Sequence, residues 1–274
     1  MATPTVRIAG AAALITGAGS GIGRATAIEF ARHRMSRLVL VDINAETLER
    51  TAQLLPASTH VEQHLVDVSD GDAMERLAAL LDGAGVLDII VNNAGIGVAG
   101  PFLSTPPEVL DRLVGVNLWG VVHGCRLFGS RLMERGRGGH IVNVASAAAF
   151  APSAILPAYS MTKAAVLMLS ECLRAELAQH RIGVSAICPG IVNTAIVRST
   201  MYVGEEGVFA ERRRNAVRLY EQRNYGPERV AQRIVAAIRR NVAVMPVAPE
   251  AYAVRGLVRL SPGLARLLAQ SRPL

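Results

Sequence analysis

The chain has 274 residues, 51% of them hydrophobic, which supports a substantial buried core and excludes a disordered protein. A formal net charge of +7 could attract nucleic acid or an anionic membrane surface, but only 4% aromatic residues and no recognised nucleic-acid motif argue against a nucleic-acid partner. Three cysteines (Cys125, Cys172, Cys188) without C-x-x-C spacing argue against a disulfide framework or a metal site, so a reducing, cytoplasmic setting is expected. Residues 1–13 lack the pattern of a signal peptide, and no apolar run approaches the roughly 18 to 20 residues of a membrane span.

Residues 11–16 predict a buried strand that stops at Thr16-Gly17-Ala18-Gly19-Ser20-Gly21-Ile22-Gly23, with a helix over 24–33 beyond it. Strand, glycine loop, helix is the order that brings a phosphate against backbone N–H groups at a helix N-terminus. The spacing is G-x-x-x-G-x-G and not G-x-G-x-x-G, so a glycine-rich turn without a ligand stays open on the loop alone. A second strand over 37–41 ends on Asp42, about 20 residues beyond the loop, where an adenosine ribose would be gripped by its hydroxyls. Asn44 offers the N-cap of a helix from Ala45. A third strand over 60–66 closes on Asp67-Val68, followed by an amphipathic helix over 72–81. A fourth over 86–91 runs into Asn92-Asn93-Ala94-Gly95. Pro106-Pro107 opens a long helix in which Asn117 interrupts an apolar face of Leu113, Val116, Trp119 and Val121, and a buried Asn must find partners. A fifth strand over 140–144 leads to Ser146, a helix carrying Tyr159 and Lys163 runs to Gln179, and a sixth strand over 183–188 stops at Pro189-Gly190. A helix over 227–240 and a strand over 242–245 complete the alternation.

Helices alternating with continuously apolar strands predict an α/β fold: a Rossmann-like, doubly wound parallel sheet with helices on both faces. No repeat, linker or charge block divides the chain, so one domain over 1–274 is expected. Ligands of such a sheet bind outside the carboxyl ends of its strands. The glycine loop, Asp42, Asp67, Asn92-Asn93, Ser146 and Pro189-Gly190 all follow strand ends and should face one crevice.

Lys163 is the only lysine among 29 basic residues, so a compact, titratable cation is retained where arginine serves everywhere else. On a helix Tyr159 and Lys163 are i and i+4 neighbours, and an ammonium beside a phenol favours the phenolate. Tyr159 is therefore a candidate proton donor and acceptor.

Over nearly its full length the chain resembles the short-chain dehydrogenase/reductase family. The resemblance rests on T-G-x-x-x-G-x-G at 16–23, N-N-A-G at 92–95, Asn117, Ser146 thirteen residues before Tyr159, Y-x-x-x-K at 159–163 and P-G-x-V-x-T at 189–194. It implies an oxidoreductase that moves a hydride between nicotinamide and a secondary alcohol or ketone. Tyr159 would be the general acid/base, Lys163 would lower its pKa and hold the ribose, Ser146 would polarise the carbonyl, and Asn117 would support a water-mediated proton relay. Cofactor contacts are implied for Thr16, Gly17, Gly19, Ser20, Gly21, Ile22, Gly23, Asp42, Ile43, Asp67, Val68, Asn93, Ala94, Gly95, Pro189, Gly190, Val192 and Thr194, with Tyr159 and Lys163. It also implies a variable substrate lid over about 191–225 and a homo-oligomer, dimer or tetramer, paired through the two long helices. Asp42 faces no Arg or Lys among residues 43–45, which favours NAD over NADP. The uncharged stretch 147–158 and Ile96, Val98, Phe102 and Leu103 predict a bulky apolar substrate, steroid-like or lipid-derived. The basic amphipathic tail over 247–274 is a candidate for peripheral contact with an anionic membrane, with packing on its own domain or on a neighbouring subunit as the other reading, which the break at Pro262-Gly263 favours. A non-catalytic NAD-binding sensor or scaffold is the alternative function, although such a protein would be expected to lose at least one of Ser146, Tyr159 and Lys163.

Overall fold

The computed structural model describes residues 6–83, 85–204 and 223–270, with Arg214 and Arg218. Much of the expected lid, and Arg272 of the tail, lie outside the described residues. The strands are β1 (Ala12–Thr16), β2 (Arg37–Asp42), β3 (His60–Leu65), β4 (Ile89–Asn92), β5 (Val98–Ala99), β6 (Gly139–Val144), β7 (Ile182–Pro189), β8 (Met201–Tyr202) and β9 (Val244–Val247). The helices are α1 (Gly21–Arg32), α2 (Ala45–Gln53), α3 (Gly71–Asp82), α4 (Pro107–Val114), α5 (Gly120–Arg135), α6 (Pro157–Leu177), α7 (Ala195–Ser199), α8 (Pro227–Arg240), α9 (Pro249–Leu260) and α10 (Pro262–Gln270).

Seven strands form one parallel sheet in the order β3-β2-β1-β4-β6-β7-β9. Neighbouring residues of a strand point to opposite faces, so each strand feeds two cores. Ile15, Leu38, Leu40 and Val91 pack with Phe30 of α1 and Ile234 and Ile238 of α8. Leu14, Val39, Val41 and Ile90 pack with Leu77 of α3, Phe128 and Leu132 of α5 and Val166 of α6. The chain winds outward in both directions from β1 and β4, and the crevice at their carboxyl ends is where such sheets take ligands.

Three readings need correction. β3 is not continuously apolar: none of its residues is fully buried, and Glu62 pairs with Arg37 at 2.6 Å. It is an edge strand, where charged side chains discourage pairing with another sheet. Trp119 is 50% exposed and stacks on His123, outside the buried face on which Asn117 lies. The glycine loop ends earlier than expected, because Gly21 and Gly23 already belong to the first turn of α1.

Candidate active site

The glycine loop is held by side chains from neighbouring strand ends. Thr16 Oγ1 accepts from the Asn93 and Ala94 amides at 3.0 and 3.1 Å, and Asn93 Nδ2 donates to Thr16 O and Gly17 O at 2.9 and 3.1 Å. Gly17 has φ 64, and a Cβ on Gly23 would lie 2.1 Å from Gly17 O, so neither position has room for a side chain. Asp42 Oδ2 accepts from the Gly19 amide at 2.8 Å and Oδ1 from the Asn44 amide at 3.1 Å. Asn44 caps α2 by accepting from Thr47 N. Arg24 lies near Asp42 in the fold but is spent on Gly19 O, on Thr51 Oγ1 at 3.0 Å and on Thr47 O at 3.3 Å. Arg37 sits at the opposite end of β2, paired with Glu62.

On α6, Lys163 and Tyr159 share a face, with Nζ 5.8 Å from the phenol ring centroid. Lys163 is buried and donates to Val144 O at 3.0 Å. Loss of hydration holds its pKa down to about 8, with the Cys188 thiol acting weakly in the other direction. Ser146 follows β6, and its Oγ accepts from the Ala148 amide at 3.1 Å. Asn117 is buried in a π-helical turn, Gly115–Trp119, between α4 and α5. Its Oδ1 accepts from the Ile96 amide at 2.8 Å, and its Nδ2 donates to Ile96 O at 3.0 Å and Thr162 Oγ1 at 3.3 Å. The side chain is thus a bracket for the strand after Gly95, and Thr162 links it to Tyr159 by donating to Tyr159 O at 2.8 Å.

These groups surround one crevice of about 760 Å³. Gly17, Ser20, Gly21, Ile22, Asp42, Ile43, Asp67, Val68, Asn93, Ala94, Gly95, Ser146, Tyr159, Lys163, Pro189, Gly190, Val192 and Thr194 line it. Four expected site residues do not: Thr16, Gly19, Gly23 and Asn117 build the wall from behind. Asn92, expected at the crevice, instead points into the core, where Nδ2 donates to Asn143 Oδ1 at 2.8 Å and approaches Cys125 Sγ at 3.4 Å. Burial pushes the Cys125 thiol up to about 12, which makes it unreactive. Among the described residues no cluster of His, Cys, Asp and Glu is placed to hold a metal.

The lining residues missed in the sequence are mostly apolar. Ala99, Ile196 and Tyr202 join the expected Ile96 and Ile155 in the walls, partly through the parallel pairing of Val98 with Met201 and Ala99 with Tyr202, whereas the expected Val98, Phe102 and Leu103 do not line the crevice, Val98 being buried and the other two exposed. Strands of two residues leave no periodic signal. Arg112 and Ser69 also reach the crevice, and no spacing marked them. A smaller cleft of about 220 Å³ shares Ser153 and Ile155 with the crevice and is lined otherwise by residues such as Val254, Leu257 and Leu268 of the tail helices.

The chain matches the short chain dehydrogenase family over residues 11–202. It is 48% identical over 263 residues to a probable oxidoreductase, EphD, of Mycobacterium tuberculosis, covering 94% of this chain but only 44% of that protein. The chain therefore spans less than half the length of that relative. It is 38% identical to carbonyl reductase [NADPH] 2 of Sus scrofa, covering 71% of this chain and 77% of that protein. A short chain dehydrogenase/reductase from Burkholderia phymatum, solved in complex with NAD, superposes with a TM-score of 0.86 at 30% identity, covering 98% of this chain and 99% of that one.

Proposed function

We propose, from the premise that the chain belongs to the short-chain dehydrogenase/reductase family, that it is an NAD-dependent oxidoreductase acting on a bulky, apolar secondary alcohol or ketone. The observation that carries this reading is the convergence of Tyr159, Lys163 and Ser146 on one crevice with the glycine loop and Asp42. When bound, the nicotinamide supplies or takes the hydride. The Tyr159 hydroxyl gives a proton to the substrate oxygen in reduction and takes it in oxidation. Ser146 donates to that oxygen as it gains charge. Lys163, with a pKa of about 8, carries its ammonium at neutral pH and favours the Tyr159 phenolate. Asn117, through Thr162 and Ile96, holds the backbone on either side of Tyr159 and Gly95 where a water relay would run. A sensor or scaffold has no need of these three side chains in one crevice.

The loop amides and the start of α1 fit a pyrophosphate, and Asp42 fits a ribose diol. NAD is favoured over NADP because Asp42 would meet a 2′-phosphate with like charge, while Arg24 and Arg37 are both engaged elsewhere. The apolar substrate class is supported by the walls at Ile96, Ile155, Leu156 and Ile196 and by the adjoining apolar cleft. In the tail, Leu260 is 89% exposed, and Leu264 and Leu267 are exposed among Arg255, Arg259 and Arg266, which supports contact with an anionic bilayer. Met161 and Met168, exposed on α6, and Trp119, exposed in the turn before α5, support a homo-oligomer, and three free cysteines suit a cytoplasmic location. Tyr159→Phe tests the core of the reading: turnover with NAD should fall by at least about 10² while NADH still binds. A variant that keeps more than about a tenth of wild-type turnover would remove Tyr159 from the chemistry.

A further inference from the structure

The turn Pro189-Gly190-Ile191 on the crevice wall is held by a carboxylate from outside the sheet. Glu250, in the first turn of α9, places Oε1 2.6 Å from the Ile191 amide, which donates to it. Its Oε2 takes a hydrogen bond and an ion pair from Arg223. The Gly190 amide donates to Val247 O at 2.9 Å, and a Cβ on Gly190 would lie 2.3 Å from Glu250 Oε1. Gly190 has no positive φ of its own, and a side chain there would have to displace the Glu250 carboxylate from its seat on the Ile191 amide. Two residues on, the Asn193 amide donates to Tyr225 O at 2.9 Å, and the Arg229 guanidinium lies 5.1 Å from the Tyr225 ring centroid. The chain that leaves the sheet at Gly190 and the chain that returns at Arg223 and Tyr225 are therefore tied together, and Glu250 is bonded to both. α9 is entered through Ala248, a buried residue with φ 79 and ψ 148, a conformation that persists in an L-residue only where the surroundings impose it.

We infer that Glu250 is a positioning residue for the crevice: it fixes Ile191, and with it the wall made by Gly190, Val192 and Thr194, and it closes the neck between Ile191 and Tyr225. The inference rests on reading the crevice as a nicotinamide site. An ordinary acid in a helix first turn, favourable to the helix dipole, would occupy the same position without that task. Four full-chain variants separate the two: Glu250→Ala, Glu250→Asp, Glu250→Gln and Arg223→Met. Each is followed by NADH fluorescence titration, hydrogen exchange of the 189–193 backbone, KM and kcat, and Tm.

Glu250→Ala leaves the Ile191 amide without its acceptor, so its exchange accelerates and NADH affinity falls about tenfold, with KM for the nucleotide moving more than kcat. Glu250→Asp keeps an acid at the helix terminus but withdraws it by one methylene, and shows the same losses. Glu250→Gln keeps an acceptor and restores most of the affinity. Arg223→Met leaves the Ile191 contact intact and accelerates exchange at 223–225 instead. Glu250→Asp with wild-type exchange at Ile191 and wild-type NADH affinity would overturn the inference, whatever happens to Tm and even if the alanine variant fails to fold. Wild-type protein that binds no NADH would count against the site reading alone, because protection of the Ile191 amide by Glu250 is measured without nucleotide.

Discussion

Replacing Lys163 by Met should make the protein more stable and far less active. Lys163 is buried at the crevice wall, and its pKa is held to about 8 against 10.5 for a free side chain. At pH 7 the ammonium is retained inside the fold at a cost of about 3 kcal/mol relative to the unfolded chain. Methionine has similar length and no charge, so it removes that cost. It also leaves Val144 O without the 3.0 Å donor, a loss of about 1 kcal/mol. The net gain is about 2 kcal/mol, or roughly 4–8 °C in Tm for a chain of this size. The pH dependence fixes the origin of the effect. The folded protein releases the Lys163 proton near pH 8 and the unfolded chain near 10.5, so between those values the unfolded state holds the extra proton and wild-type stability rises with pH. By pH 10 the advantage of the methionine variant should have nearly vanished. Thermal unfolding followed by circular dichroism at pH 7 and pH 10, with turnover measured alongside, tests both halves. A Lys163→Met protein less stable than wild type at pH 7, or equally advantaged at both pH values, would refute the desolvation argument, and turnover reduced less than about 10² would refute the catalytic one.

The remaining expectations concern what enters the crevice. Asp42→Ala removes the like charge that opposes a 2′-phosphate and should raise the NADP to NAD ratio of kcat/KM by at least about tenfold, while weakening the loop through loss of the Gly19 acceptor. An unchanged ratio would mean that another residue reads the ribose. In a panel of ketones and secondary alcohols, kcat/KM should rise with apolar bulk, and higher values on small polyols would sink the substrate class. If the tail helices meet a bilayer, the protein should co-sediment with anionic liposomes at low salt and release as salt is raised, whereas neutral liposomes should leave it in solution.

How much of this was legible in the sequence depends on the distance over which each feature is specified. The strand, glycine loop and helix at 11–33 follow from local rules, because a backbone that must pass within contact of Gly17 O and Ala94 leaves glycine as the only residue that fits. Tyr159 and Lys163 are legible for the same reason, since four residues on a helix fix a side-chain pair. β3 was misjudged although His60, Glu62, Gln63 and His64 already interrupt its apolar residues, and the strand order shows why an edge tolerates them. Asn92 looked like Asn93, and the alternation of a strand end decides which of them faces the crevice. Glu250 could not be found at all: an acid in a helix first turn is ordinary, and its partner Ile191 is 59 residues away.

The two halves of the crevice differ in the same way, and the difference bears on why the reaction class could be inferred more readily than the substrate. Asp42, Asp67, Asn93, Ser146 and Pro189 sit at or just past the end of a strand of the central sheet, so the sheet itself delivers them to one edge. The apolar walls come from 96–99, 151–156 and 191–202, which lie outside the central sheet, carry only short elements such as α7, and are joined by the β5 and β8 pairing and by contacts such as Gly100 N to Ile155 O at 2.8 Å. A wall built by mutual contact among loops can change shape by substitution anywhere along them without disturbing the sheet. The adjoining cleft is bounded by α9 and α10 and shares Ser153 and Ile155 with the crevice, which supports counting the C-terminal helices with the apolar half, while through Glu250 α9 also holds the Ile191 turn of the nucleotide half. Selectivity among apolar ketones should therefore respond to changes in residues 249–270, which lie beyond the stretch that matches the family, while the nucleotide half, apart from the Ile191 turn, is set by residues within it.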